Sequence, residues 1–456
     1  MGIEAYDVFV IGTGTAGKSV AKACAEAGKK VAIADNREFG GTCPNRGCDP
    51  KKVLLGISEI MDSARKMQGK GIIKMPEFSW EDLQAYKKKF VDAIPAATEK
   101  DLQKLGITMY HQSPMFLDEN TLSVEGKTVK AKKVVIATGH KPLKLNIPGI
   151  DLALLSEDFL NLPKLPKSMI FIGAGYIGME FAHMAASLGV KVTMIDMASR
   201  PLTNFEKAIV DPLIEAFEAL DVDFIFNAGA SKIEKLQKYF RVSAKQGDKI
   251  IEAKAEMIFN TAGRVPSIDE LDLEKGKVSF TKKGISVNKY LQNPTNKNVY
   301  ACGDVSDSEG LPLTPLSSFE PKTVIAQLLK DKNNKEISYL PQPSVVFTSP
   351  QLASVGLLEE EAKAQGYEIV VEEKKNLNWF NAKRINEKHY GYKTIVDKKT
   401  NRILGAHIIS PQAGEMINLF AMAMYSKLTT DDLKNMLFTY PTWGNDLRGW
   451  FDNSIE

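Results

Sequence analysis

The chain has 456 residues, 44% hydrophobic and 25% charged, with a net charge of +3. That length calls for two or three domains, and so small and evenly spread a charge gives no footprint for nucleic acid or a membrane surface. Four cysteines in so long a chain, no apolar run near the roughly 18–20 residues of a membrane span, and an N-terminus without a basic n-region or cleavage site point to a cytoplasmic protein.

Residues 7–11 form a continuous β-branched and aromatic run, as expected of a buried parallel strand. Gly12-Thr13-Gly14-Thr15-Ala16-Gly17 follows, then a helical pattern to about Ala27 and a second strand, 30–34, ending at Asp35. Strand, G-x-G-x-x-G, helix, strand and terminal acid is the order of a dinucleotide-binding unit. Its glycines allow a tight turn, close approach to a pyrophosphate and close helix–sheet packing. The helix N-terminus faces the phosphates, and Asp35 can accept from a ribose hydroxyl.

The next stretch, 40–52, reads Gly-Gly-Thr-Cys-Pro-Asn-Arg-Gly-Cys-Asp-Pro-Lys-Lys. The spacing of Cys43 and Cys48 suits two cysteines about one helical turn apart, close enough for a strained, easily reduced disulfide. Gly40-Gly41 lets the backbone approach something flat, and Pro50 marks a helix entry. Arg46 and a helix N-terminus would both lower a thiol pKa; Asp49 would oppose thiolate formation unless it points outward or pairs with a cationic substrate. The rival readings are a metal site and inert thiols. Zinc would ask for a second Cys or His pair, and neither Cys24 nor Cys302 comes with one; both read as small buried residues.

From Gly56 to about Lys104 the pattern is helical and charged, with Lys87-Lys88-Lys89 expected on a solvated face. A strand over 132–136 leads to Ala137-Thr138-Gly139, and the linker 142–148 puts a boundary near Ile150. The dinucleotide device then recurs. A strand over 169–172 precedes Gly173-Ala174-Gly175-Tyr176-Ile177-Gly178-Met179-Glu180, a helix to about Leu188, and a strand over 190–195 ending at Asp196. Two such folds imply two dinucleotides. Asp196 suits a ribose 2′-OH and repels a 2′-phosphate, although the nearby Arg200 offers a cation for a phosphate. From Pro343 the composition turns to antiparallel strands over 345–350, 355–357, 392–396 and 403–409, flanked by helices.

The run 40–52 resembles the Gly-Gly-Thr-Cys-four-residues-Cys-x-Pro-Lys active site of the class I pyridine nucleotide-disulfide oxidoreductases, which include glutathione reductase and dihydrolipoamide dehydrogenase. Residues 137–139, 173–180, 259–266, 299–305, 313–315 and 346–362 resemble further motifs of that family, so the likeness covers essentially the whole chain. It implies an α/β fold: two Rossmann-like dinucleotide-binding domains plus a C-terminal α+β dimerisation domain. The FAD-binding domain would span 1–149 and 265–342, the NAD(P)-binding domain 150–264, and the interface domain of an obligate homodimer 343–456.

By the same resemblance FAD is held by Gly12, Gly14, Gly17, Asp35, Thr42, Gly139, Gly303, Asp304 and Thr314. The nicotinamide nucleotide, NADH with NADPH as the alternative, falls to Gly173, Gly175, Ile177, Gly178, Asp196 and Gly263. NADH would reduce FAD, and two electrons would pass to a Cys43–Cys48 disulfide. Cys48 would be the charge-transfer thiolate near the flavin and Cys43 the interchange thiol, with Lys51 or Lys52 pairing with Glu180. The implied enzyme is an NAD(P)H-dependent flavoprotein disulfide reductase acting on a small-molecule disulfide or related acceptor. The alternative is a flavin-level reductase of quinones, dyes or oxygen with a regulatory disulfide.

One motif departs from the family. Where most members carry His-Pro-Thr-x-x-Glu, this chain has Tyr440-Pro441-Thr442-Trp443-Gly444-Asn445, and its five histidines all lie elsewhere. A phenol of pKa about 10 can donate a hydrogen bond but is a poor base at neutral pH. Tyr440 is therefore expected to protonate or orient a substrate; the blander reading is an interface tyrosine that only packs. No cysteine follows Cys302, unlike mercuric reductases and high-molecular-weight thioredoxin reductases.

Overall fold

Strand β1 (Glu4–Ile11) is apolar on both faces, and that puts it at the centre of a sheet. Phe9 and Ile11 enter one core while Val8 and Val10 enter another on the opposite face. β1 pairs in parallel with β2 (Val31–Ala34) on one side and with the strand Lys127–Ile136 on the other. Thr108–Tyr110 extends the sheet beyond β2, and Val299–Ala301 pairs in parallel with Lys127–Ile136. This computed structural model describes residues 3–330 and 335–451. The sheet belongs to the first of two units, which gathers 1–53, 82–143 and 264–339.

Helix α1 (Thr15–Glu26) buries Ala16, Gly17, Val20, Ala21 and Cys24 against this sheet. The cysteine run folds as a short helix, α2 (Thr42–Arg46), and the start of a long one, α3 (Cys48–Met67). The two cysteines therefore sit on consecutive helices broken at Gly47, rather than on successive turns of one. Helix α4 (Trp80–Val91) carries Lys87 to Lys89. Lys88 and Lys89 are exposed as expected, but Lys87 is buried. The helical period aligns it with Gln84, three residues earlier and also buried. Helix α5 (Ile94–Lys104) completes this part of the unit.

The second unit gathers 54–81, 144–263 and 340–456. It contains a second parallel sheet, ordered Val222–Ile225, Lys191–Ile195, Ser168–Ile172, Met257–Asn260. Beside it lies an antiparallel sheet of Gly229–Lys235, Phe240–Gln246 and Lys249–Ala255, which the sequence reading did not pick out. Its strands are short, mixed with lysine and glutamate, and buried on alternate residues only.

Toward the C-terminus five antiparallel strands run in the order Ser344–Val346, Gln351–Gly356, Arg402–Ser410, Gly391–Asp397, Ile369–Lys374. The helix Ala413–Tyr425 buries Met416, Ile417 and Phe420 in the same cluster, where Trp450 stacks on Tyr392 at 4.1 Å. His407 lies buried in this sheet, its Nδ1 2.7 Å from Ser354 Oγ and its Nε2 3.1 Å from the Leu357 carbonyl. A neutral imidazole satisfies both contacts, and burial holds its pKa down at about 4.

Candidate active site

The cysteine loop is held against the first G-x-G-x-x-G turn by glycine contacts. Gly41 has φ +81°, and a Cβ there would stand 2.4 Å from Gly14 Cα. Nothing larger than glycine fits at 41 without moving one backbone off the other. The third glycine of each motif makes a matching close approach: a Cβ on Gly17 would meet Gly12 O at 1.9 Å, and one on Gly178 would meet Gly173 O at 2.1 Å. Asp35 stitches the first turn together, its Oδ2 accepting from Thr13 N at 2.8 Å and Thr13 Oγ1 at 2.6 Å. Thr13 Oγ1 in turn accepts from Gly40 N at 3.1 Å. Strand end, phosphate-type turn and cysteine loop thus form one hydrogen-bonded block.

Within that block Cys43 is half-buried and Cys48 exposed, both as thiols. Thr314, at the N-terminus of the helix Thr314–Leu329, reaches both: its Oγ1 lies 3.4 Å from Cys48 Sγ and 3.5 Å from Cys43 Sγ. The hydrogen bond between the sulfurs is the main cause of their divergence. It lowers Cys48 to about 6 against the opposing effect of partial desolvation of its sulfur, with Thr314 and Lys51 helping and Asp49 opposing. Cys43, the donor of that bond and also desolvated, is pushed up. One proton shared between them therefore stays on Cys43. Arg46, expected to support the thiolate, is instead ion-paired with Glu38 at 2.8 Å. The lysine one turn into α3 supplies the cationic support. Cys24 is pushed up to about 11 by burial, and Cys302 is raised by burial and by the Glu320 charge.

The other residues expected to hold the first dinucleotide fall in the same unit. Gly303 packs against Ala16 of α1 and Ser317, and Asp304 Oδ1 accepts from Ser317 Oγ at 3.4 Å. Gly139 ends the loop after the central strand, next to Thr138 and His140. Thr138 Oγ1 and His140 Nε2 are buried without hydrogen-bond partners. A cavity of about 330 Å³ is lined by His140, Arg264, Gly303, Asp304 and Glu320 among others. These orphan polar atoms, the open N-terminus of α1 and the glycine cradle fit an extended polar ligand carrying phosphates.

Glu320 is a site residue that sequence reading missed. It is 2% exposed, and its carboxylate accepts from Gly303 N at 2.6 Å, Ser308 Oγ at 2.7 Å and Tyr339 Oη at 2.6 Å. It ties the Gly303-Asp304 turn to the helix that begins at Thr314. The available signal was a glutamate placed directly before Pro321, in the run Ser317-Ser318-Phe319-Glu320-Pro321.

In the second unit Gly173, Gly175, Ile177 and Gly178 lie at the start of the helix Tyr176–Ser187, and Asp196 follows the strand Lys191–Ile195. Asp196 accepts from Ala174 N at 2.5 Å and Ala198 N at 2.7 Å, the counterpart of Asp35. Arg200 donates to the carbonyls of Pro201, Leu202, Thr203 and Phe205 at 2.9–3.3 Å. Its guanidinium is committed to folding its own loop. Glu180 is buried and accepts from Phe347 N at 2.9 Å; Gly263, with φ +128°, ends the segment 144–263 of this unit.

Tyr440 is 70% exposed, its ring centroid 6.4 Å from that of Phe380. Thr442 caps the following short helix, accepting from Asn445 N at 3.2 Å. Among the described residues no hydrogen bond joins Asn445 to Tyr440. The neighbouring Asp446 is engaged elsewhere, by Asn381 and Tyr390, and burial raises its pKa.

Residues 6–326 match the family described as pyridine nucleotide-disulphide oxidoreductase, and 342–448 match that family's dimerisation domain. The chain is 31% identical over 453 residues to a glutathione reductase of Nostoc sp., covering 96% of this chain and 97% of the relative. It is 30% identical over 446 residues to a dihydrolipoyl dehydrogenase of Staphylococcus aureus, at 96% and 94% coverage. A mercuric reductase of Bacillus cereus is 30% identical over 451 residues, at 97% and 70% coverage. Among solved structures, the HOCl-induced flavoprotein disulfide reductase RclA from Escherichia coli is similar at a TM-score of 0.86 and 29% identity, over 99% of this chain and 100% of that one. A Cu(II) complex of the same E. coli protein is similar at 0.86 and 28%. No described helix is long and apolar enough to cross a membrane.

Proposed function

The chain belongs to the pyridine nucleotide-disulphide oxidoreductase family, FAD- and NAD(P)H-using enzymes, and on that premise we propose that it reduces a small disulfide, or a related thiol-reactive substrate, at Cys43 and Cys48. The observation that carries this reading is the convergence of both thiol sulfurs on Thr314 Oγ1, at 3.4 Å for Cys48 and 3.5 Å for Cys43. Bound FAD supplies the two-electron exchange between a nicotinamide and a disulfide. The chain's own residues do the rest. Gly12, Gly14, Gly17 and the α1 N-terminus bind the FAD pyrophosphate, Asp35 its ribose, and Thr42, Gly139, Gly303, Asp304 and Thr314 the remainder. Gly173, Gly175, Ile177, Gly178, Asp196 and Gly263 bind the nicotinamide nucleotide.

Cys48 holds its thiolate with help from Thr314 and Lys51. Cys43 keeps the proton until it attacks the substrate disulfide; the resulting mixed disulfide is then resolved by Cys48. Lys51 or Lys52 pairs with Glu180, and Tyr440 donates a proton or hydrogen bond to the substrate. NADH is the preferred nucleotide, because Asp196 disfavours a 2′-phosphate and Arg200 is spent on backbone carbonyls. The working form is a cytoplasmic homodimer assembled through 343–456. Relatives with three different substrates at 30–31% identity leave the substrate at the level of a class.

An anaerobic spectral titration of the purified protein with NADH, then NADPH, tests this. The expected result is a long-wavelength absorbance from the Cys48 thiolate while the flavin spectrum stays oxidised after two electrons. Direct flavin bleaching without that band would overturn the disulfide relay.

A further inference from the structure

Cys48 has two visible supports for its negative charge, Thr314 and the Lys51 cation, whereas Cys43 has Thr314 but no such cation on its own loop. Yet Cys43 is the thiol that must shed its proton to attack. Its helix, α2, spans only five residues, and the arginine in its own loop is taken by Glu38. A cation must come from elsewhere.

Lys18 stands on α1, the helix whose N-terminal turn meets this loop. It follows Gly14 by one turn of α1, its N–H donating to Gly14 O at 3.0 Å, and Gly14 is the residue on which Gly41 rests. Residues four apart share a helix face, so Lys18 leaves α1 beside the segment that follows Gly41, namely Thr42 and Cys43. The side chain is half-buried. Among the described residues its ammonium makes no hydrogen bond or ion pair, unlike Lys22 one turn further on, which reaches Asp101 at 3.5 Å. Burial and the Lys22 charge lower its pKa, and the opposing anions are Cys43 and Asp101. Asp101 is exposed and shared with Lys22 and Lys104. An unpaired, partly desolvated ammonium gains most from a charge that develops at Cys43.

We propose that Lys18 stabilises the Cys43 thiolate, acting within one chain as the electrostatic partner of the interchange thiol. This rests on the disulfide-reductase reading of the cysteine pair. Lys18 keeps its proton throughout. Cys43 loses its own to solvent; a bond forms from Cys43 Sγ to one substrate sulfur as the substrate S–S bond breaks, and the electron pair leaves on the second sulfur, which takes a proton from solvent. The other charges at this corner are Cys48, Asp49 and Lys51 on α3, the Arg46–Glu38 pair, and Asp101 on α5. Asp49 and Cys48 oppose a Cys43 thiolate, so Lys18 works against both.

The test is the pH profile of Cys43 alkylation by iodoacetamide, after reduction with dithiothreitol and its removal, with the modified cysteine identified by peptide mass. Lys18→Met, which keeps the aliphatic stem, is expected to need a pH about one unit higher for the same rate, or about tenfold slower reaction at fixed pH. Lys18→Arg is expected to stay near the parent. A Lys18→Met profile that overlays the parent, or an equal shift in Lys18→Arg, overturns the assignment. Whether NADH alone makes Cys43 alkylatable is a separate test of the relay. Dithiothreitol bypasses that step, so the two ideas can fail independently.

Discussion

Thr314 Oγ1 lies 3.4 Å from Cys48 Sγ, and this one hydroxyl anchors the acidic thiol to the start of a helix. Replacing it with valine keeps the shape and removes the hydrogen bond. Hydrogen bonds to charged groups contribute about 1.5–3 kcal/mol, so Thr314→Val should raise the apparent pKa of Cys48 from about 6 by about one unit or more. The ultraviolet absorbance of the thiolate against pH measures this. An unmoved titration would show that the inter-sulfur hydrogen bond suffices without Thr314.

Asp49 sits beside Cys48 and opposes ionisation of both cysteines. Asp49→Asn should therefore move the thiol titrations to lower pH and speed alkylation at neutral pH. A titration displaced upward would mean that Asp49 helps the pair, as it would by orienting a neighbouring cation.

Arg200 binds four carbonyls of its own loop. Arg200→Gln should cost about 1–3 kcal/mol through stranded acceptors, seen as a lower melting temperature. The ratio of kcat/KM for NADH over NADPH should stay as in the parent. A shift in that ratio at unchanged stability would restore Arg200 to the nucleotide site.

His407 ties pH to the stability of the C-terminal sheet. Its folded pKa of about 4 lies below the ordinary 6.5, so the unfolded chain takes up the proton more readily. The contribution is fully present above about pH 6.5, shrinks as pH falls, and is lost by about pH 4. Urea unfolding across that window should show stability dropping toward acid, with a shallower slope in His407→Gln. Equal slopes would remove His407 as the cause.

Tyr440 is solvent-facing, so Tyr440→Phe should leave the unfolding free energy within about 0.5 kcal/mol of the parent, as is typical of surface changes. Turnover on a disulfide substrate should fall. Unchanged turnover on a substrate the enzyme handles well would reduce Tyr440 to a packing residue.

The two dinucleotide folds were legible because their signals are local: strand, glycine turn, helix and strand lie within about 30 residues, and both appear where expected. The cysteine pair was legible for the same reason. The partnerships of cations were not. Whether Arg46 serves a thiol or Glu38, and whether Arg200 meets a phosphate or its own backbone, depends on loop paths that no periodicity records. Lys87 shows the same limit in miniature, since a run of three lysines reads as surface while the helix turns one of them inward. Glu320 escaped because its partners, Gly303, Ser308 and Tyr339, lie up to nineteen residues away and meet it only after folding.

Burial of Cys24 and Cys302 has a practical consequence for counting electrons. Both side chains are sealed in the core of the first unit and both are poor thiolates, so a thiol reagent applied to the native protein sees only Cys43 and Cys48. The difference in reagent uptake between reduced and oxidised protein then equals the number of electrons stored in the pair, with no background from the rest of the chain.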